Sequence, residues 1–149
     1  MREQVSIRAA APVEGERLRQ IALDSKAHWG YDEQWVRSWV AQGDFSPEAL
    51  ASKAVLVAEA GGRAVAFAGL IPKGKVAWLD DLWVEPRWIG RGVGTILFQA
   101  AAARARELGA KQMEWEAELN AVGFYEKLGG RYLRDSEETE LGRMLPVMG

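Results

Sequence analysis

The segment Gly90-Arg91-Gly92-Val93-Gly94-Thr95 places three alternate glycines between two stretches of different periodicity. Upstream, Val76 to Val84 is apolar, β-branched and aromatic, and Glu85-Pro86 stops it; this is the pattern of a strand. Downstream, Val93, Ile96, Leu97, Ala100, Arg104 and Leu108 recur at i, i+3, i+4, i+7 spacing and predict a helix with a largely apolar face. Gly109 then stands where a left-handed residue ends a helix. A strand, a glycine turn and a helix in this order leave few folds open. Glycines let the backbone approach a bulky anion, and the first turn of a helix offers unpaired N–H groups at the positive end of its dipole. The turn therefore predicts an anion site suited to phosphate or pyrophosphate, with Arg87 and Arg91 flanking it.

Three phosphate-binding motifs compete for the turn. A P-loop requires Lys-Ser/Thr after its last glycine, whereas Gly94 is followed by Thr95-Ile96. A Rossmann site requires GxGxxG and a second mononucleotide half, and too little chain follows the acidic candidates Glu114 and Glu116 to supply one. The third is a coenzyme A pyrophosphate site. Ile89-Gly90-Arg91-Gly92-Val93-Gly94 resembles motif A of the GNAT acyltransferases, (Arg/Gln)-x-x-Gly-x-(Gly/Ala), with Ile89 in place of Arg or Gln. That replacement removes a side-chain contact and leaves the backbone cradle.

With 149 residues the chain is expected to form one domain, spanning 1–149, with a single real core. A net charge of −2 and the lack of a basic block argue against nucleic acid. No apolar run approaches about 18 residues, so no membrane span is expected. No signal core is visible either, which makes the cytoplasm the expected compartment. Zero cysteines exclude disulfides and thiol nucleophiles, and one histidine excludes a multi-His metal centre. Asp80 and Asp81 are neighbours on a strand, so alternation points them to opposite faces and bars joint chelation; no metal is expected.

In chain order, Val5 to Ala9 reads as a strand and Pro12 opens a helix to about Lys26. A break with His28, Trp29 and Tyr31 follows. Asp32 then caps a helix whose stripe is Trp35, Val36, Trp39 and Val40, closed by Gly43. Ser46-Pro47-Glu48 starts a short helical turn to Ser52. Ala54 to Ala60, Arg63 to Ile71 and Val76 to Val84 form a meander joined at Gly61-Gly62 and Pro72–Lys75. After the long helix, Lys111 to Ala117 is a strand reached by a crossover, which predicts parallel pairing. A short helix over Asn120 to Leu128 and strands at Arg131–Arg134 and Glu138–Val147 complete the order. The result is an α/β chain with a mixed sheet and helices on both faces.

Asn120-Ala121-Val122-Gly123-Phe124-Tyr125-Glu126-Lys127-Leu128-Gly129 is similar to a second GNAT segment, Asn-x-x-(Ala/Gly)-x-x-Phe-Tyr-x-x-x-Gly, compressed by one or two residues. The resemblance covers both motifs and the whole order of elements. It implies the GNAT fold: a mostly antiparallel sheet of six or seven strands with a V-shaped split between the fourth and fifth. It also implies acetyl-CoA as acyl donor and direct transfer to a primary amine. In that scheme the backbone near Leu82, Trp83 and Val84 binds the pantetheine and acetyl carbonyl. Ile89 through Thr95 holds the pyrophosphate, Asn120 and Phe124 meet the pantetheine arm, and Tyr125 protonates the leaving thiolate. A phenol is neutral at pH 7, as that role demands. Asp80 or Asp81 is the expected base, with Asp80 favoured because relatives are usually acidic there; Glu116 and Glu118 are further candidates.

Acceptor specificity in the family lies in the first helices, here Lys26, His28, Trp29 and Tyr31. This stretch looks like a Ser-Lys-Ala-x-Trp-Gly-Tyr segment of a bacterial GNAT group that also shares the pattern of Gly142-Arg143-Met144-Leu145-Pro146. Aromatic walls favour an apolar or cationic amine. Trp35 and Trp39, on a helical stripe, read as core or interface residues. The last strand offers an edge for a homodimer. Two rival readings are an acyl-CoA sensor without turnover, which Ile89 favours, and an interaction protein on the same scaffold.

Overall fold

The computed structural model describes residues 4–43, 45–136 and 145–149, with the side chains of 39, 40 and 42 also left undescribed. Strand β1 is Ser6–Ala9, and a 3-10 turn at Pro12–Glu14 leads into α1, Gly15–His28. Helices α2, Glu33–Gln42, and α3, Pro47–Ser52, follow. Asp32 Oδ1 accepts from the Trp35 amide at 3.0 Å, so the expected cap forms, and Ser46 Oγ accepts from the Ala49 amide at 3.2 Å where the short helical turn was expected to start. The meander is β2, Ala54–Ala60, β3, Arg63–Lys73, and β4, Val76–Val84. Then come a 3-10 turn at Pro86–Trp88, α4 at Val93–Glu107 and β5 at Gln112–Glu116. A last 3-10 turn, Leu119–Ala121, precedes α5, Val122–Lys127, β6, Tyr132–Asp135, and β7, Pro146–Met148.

The strands form a seven-stranded sheet in the order β1-β2-β3-β4-β5-β7-β6, antiparallel except for β4 and β5. Every residue from Ala64 to Leu70 is buried, because β3 is central and covered on both faces. On one face α1 packs Leu18, Ile21 and Ala22 against Val55, Val57 and Phe67. On the other, α4 packs Val93, Leu97, Phe98, Ala101 and Ala105.

Several boundaries differ from the sequence reading for physical reasons. Val93 and Leu97 of the expected α4 stripe are buried, but the rest of the stripe shifts: Ile96 is 44% exposed, while Phe98, Ala101 and Ala105, which the expected stripe leaves out, are buried. The alanine-rich helix offers two nearly equal faces, and the sheet selects between them. Helix α1 runs past Lys26 to His28, so the aromatic break is shorter than expected. Strand β3 continues through Pro72, which pairs with Ala77, and the turn is confined to Gly74-Lys75. The last strand is not an edge: β7 lies between β5 and β6, leaving β6 outermost. Residues 137–144, which include most of the expected 138–147 strand and Gly142 to Met144, lie outside the described residues. So do the side chains of Trp39 and Val40. Among the described residues no helix is long and apolar enough to cross a membrane.

Candidate active site

The parallel strands β4 and β5 pair only over Val76–Trp78 and Gln112–Glu114. Beyond Trp78 they diverge, and a cavity of about 1010 Å³ opens between them. Its lining includes Leu82, Trp83 and Val84 from β4, Glu116 from β5, and the turn before α4.

That turn has the geometry its glycines predict. Gly90 and Gly92 both adopt φ +82°, a conformation that side-chain-bearing residues seldom take. The first α4 bond runs from the Ile96 amide to the Gly92 carbonyl at 3.1 Å, so the amides of Val93, Gly94 and Thr95 precede the intrahelical ladder. Ile89, Gly90, Gly92, Gly94 and Thr95 line the cavity. Val93 points into the core at 2% exposure, and Arg91 lays its guanidinium over the Trp88 ring, 5.2 Å from the centroid. These two contribute backbone and outer charge rather than cavity wall.

The second motif meets the first in space. A Cβ on Gly94 would stand 3.3 Å from Phe124 Cζ, so α5 seats against the glycine turn. Asn120 and Tyr125 also line the cavity. Tyr125 is 8% exposed, with Trp115 at 5.0 Å, Phe124 at 5.1 Å and Phe98 at 5.9 Å between ring centroids. Burial, aided by the charge of Glu118, pushes its phenol pKa well above the ordinary value. Its hydroxyl makes no hydrogen bond to a described residue.

On β4 a bulge changes the expected geometry. Gly69 pairs with Asp81 and Leu70 with Leu79, leaving Asp80 as the extra residue. Simple alternation therefore fails here, and the two carboxylates do not point to opposite faces. Both approach Lys53: Nζ is 2.6 Å from Asp80 and 3.5 Å from Asp81. Asp81 lies over Gly69, where a Cβ would come within 2.7 Å of its Oδ2. Burial, reinforced by Asp80 and opposed by Lys53, lifts the Asp81 pKa to about 6. Burial also raises Glu116, with Asp80 and Glu118 adding to the effect. Burial pulls the Lys53 ammonium down, but Asp81 and Asp80 more than offset it and its pKa is raised.

The helical cap closes the far side. Lys26 is 3% exposed, ion-paired to Glu118 Oε1, with Tyr31 donating its hydroxyl to Oε2 of the same carboxylate. The Lys26 Nζ lies 4.6 Å from the Tyr31 ring centroid, 5.2 Å from Trp35 and 5.4 Å from Trp83. Of the four expected acceptor-site residues, Lys26, Trp29 and Tyr31 line the cavity, whereas His28 does not. Two positions beyond Lys26 on a helix points about 200° away, and His28 sets its ring edge against Trp29 at 5.0 Å instead. Trp35, expected in the core or at an interface, is a wall of the cavity. Lys53 and Trp78 were not legible as site residues, since no local motif marks either. Leu145, from the C-terminal pattern, also contributes to the lining. Among the described residues no group of three or more His, Cys, Asp or Glu is arranged to hold a metal.

Comparison with known proteins agrees with this geometry. The model of the acetyltransferase (GNAT) family matches residues 16–130. An uncharacterized N-acetyltransferase of Methanocaldococcus jannaschii is 28% identical over 128 residues, 73% of this chain and 54% of that protein. The peptidyl-lysine N-acetyltransferase YjaB of Escherichia coli is 36% identical over 70 residues, 47% of this chain and 46% of that protein. The chain thus spans about half the length of these curated relatives. Among solved structures, a GCN5-related N-acetyltransferase of Rhodopseudomonas palustris superposes with TM-score 0.80 at 26% identity, covering 99% of this chain and 96% of that one. The PaiA N-acetyltransferase of Thermoplasma acidophilum, in complex with coenzyme A, gives TM-score 0.78 at 22% identity over 97% of this chain and 98% of that one. Fold, split sheet, glycine turn and family match converge: the chain belongs to the acetyltransferase (GNAT) family.

Proposed function

We propose that the protein is an acetyl-CoA-dependent N-acetyltransferase that transfers the acetyl group directly to a primary amine. The observation that carries this reading is the meeting of the two motifs in one split: the glycine turn that opens α4, through Gly90, Gly92, Gly94 and Thr95, and Tyr125 of α5 line a single cavity. The coenzyme A bound to the Thermoplasma protein of the same fold supports an acyl-CoA donor.

In the reading, the turn from Ile89 to Thr95 holds the pyrophosphate on backbone amides. Leu82, Trp83 and Val84, on the stretch of β4 that has parted from β5, offer backbone groups to the pantetheine and the thioester carbonyl. Asn120 and Phe124 flank the pantetheine from the other side. The amine nitrogen attacks the carbonyl carbon, the C–S bond breaks as the tetrahedral adduct collapses, and Tyr125 gives its proton to the departing sulfur. Asp81, rather than Asp80, takes the proton lost by the amine: its pKa of about 6 suits a base near neutral pH, and Asp80 is engaged closely by Lys53. Lys26, Trp29 and Tyr31 wall the acceptor side. A dimer built through a strand edge would use β1 or β6, the two outer strands.

The test is thiol release from acetyl-CoA across a panel of primary amines, with the wild type and Tyr125→Phe side by side. Amine-dependent release by the wild type, lost in the variant, supports the reading. Acetyl-CoA binding without release for any amine would support the sensor reading, to which Ile89 lends its one argument.

A further inference from the structure

We infer that the acceptor is a primary amine on a flat or apolar body that carries no carboxylate, and therefore not a free amino acid. This rests on the acetyl-transfer reading above and goes on to name the substrate class. The charged residues lining the cavity are Lys26, Lys53, Asp80, Asp81, Glu116 and Glu118. Both lysines are committed: Lys26 to Glu118, and Lys53 to Asp80 and Asp81. No ion pair ties Glu116 to a described cation. A carboxylate on the acceptor would find no uncommitted ammonium along the described lining and would enter a field set by four carboxylates against two ammoniums.

The walls of the same cavity are aromatic. The Lys26 ammonium already sits among Tyr31, Trp35 and Trp83 at 4.6 to 5.4 Å from their centroids. The cap is thus built to hold a cation against π faces. Trp29, at 47% exposure, and Trp78 add further aromatic surface to the same cavity. An arylalkylamine meets each feature at once: a cationic nitrogen for the carboxylates near Asp81 and Glu116, a flat body for the indoles, and no anion to repel. An amino acid of the same side chain brings the same body and nitrogen but places a carboxylate two bonds from the reacting atom.

Matched pairs isolate that single difference. Thiol release is measured with tyramine against tyrosine, tryptamine against tryptophan and 1,5-diaminopentane against lysine, alongside calorimetric binding of each to the protein saturated with free CoA. The expected result is a kcat/KM for each amine at least about 30-fold above that of its amino acid, with the aromatic amines ahead of the diamine. Glu116→Gln should narrow the ratio several-fold through KM, because it removes the carboxylate that lacks a cationic partner. An amino acid equal to or better than its amine in any pair overturns the inference. So does the failure of all three amines to bind or react while acetyl-CoA binds normally. Absence of acetyl-CoA binding overturns it at an earlier point, by removing the transfer reading on which it depends.

Discussion

Lys53 Nζ lies 2.6 Å from the Asp80 carboxylate, across from a bulge that brings Asp81 to the same ammonium at 3.5 Å. The lysine directly precedes β2, and the two aspartates belong to β4. It therefore sets the electrostatics of the cavity from outside either motif. Its charge lowers the pKa of Asp81, which burial and Asp80 have raised. Replacing Lys53 with Met removes that opposition. If Asp81 accepts the amine proton, kcat/KM should climb with pH through about 6 in the wild type, and Lys53→Met should move this limb to higher pH. Rate–pH profiles of the two proteins check this; an unmoved limb would assign the base elsewhere.

Asp81 also leaves a trace in stability. Its folded pKa, about 6, lies above the ordinary aspartate value of 3.8, so the folded state holds a proton that the unfolded chain releases. The associated stabilisation is fully present below pH 4 and is lost as pH rises through 6. The shift corresponds to roughly 2 to 3 kcal/mol. Urea unfolding at intervals from pH 4 to pH 7 should show wild-type stability falling relative to Asp81→Asn by an amount of that order. Taking the difference between the two proteins cancels opposing groups such as Glu14, which its hydrogen bond to Arg8 holds below the ordinary value.

Lys26 is the most enclosed charge described. Lys26→Met leaves Glu118 without its ammonium and removes the cation from among Tyr31, Trp35 and Trp83. Removing one partner of such a pair is expected to destabilise the fold by roughly 3 kcal/mol. Equilibrium denaturation measures this directly, and a change near zero would mean that the pair is not maintained in solution.

Tyr125→Phe removes only an unbonded hydroxyl from a ring that is otherwise packed by Phe98, Trp115 and Phe124. Stability and acetyl-CoA affinity should stay near the wild-type values, while turnover drops by about 100-fold or more. Equal turnover by a folded variant would take the acid role away from Tyr125, provided thiolate departure limits the rate.

The sequence was most informative where backbone chemistry is local. The cap at Asp32, the hairpin turn at Gly61-Gly62 and the glycine turn that opens α4 follow from residue type alone. It was least informative where a long-range partner makes the choice. The alanines of α4 permit two faces, and only contact with the sheet makes Ala101 and Ala105 buried rather than Ala100 and Arg104. A period-two rule assigns Asp80 and Asp81 to opposite sides, and nothing within β4 announces the bulge that overrides it. Lys53 became a site residue only once β2, β3 and β4 were side by side. His28 was drawn into the acceptor site by its neighbours in sequence, but one further half-turn of α1 directs it away.

The central claim, that the split sheet holds acetyl-CoA on the glycine turn, is tested most directly by calorimetric titration of wild type and Gly92→Val with acetyl-CoA, using NAD⁺ as a control. At φ +82° a valine is strained, but its Cβ meets no atom within 4 Å, so a folded variant with a blocked cradle is expected. The account predicts selective binding of acetyl-CoA by the wild type and at least about tenfold weaker binding by the variant, the equivalent of one lost charge-assisted hydrogen bond. Wild-type affinity in a folded Gly92→Val, or no preference for acetyl-CoA over NAD⁺ in the wild type, would contradict it.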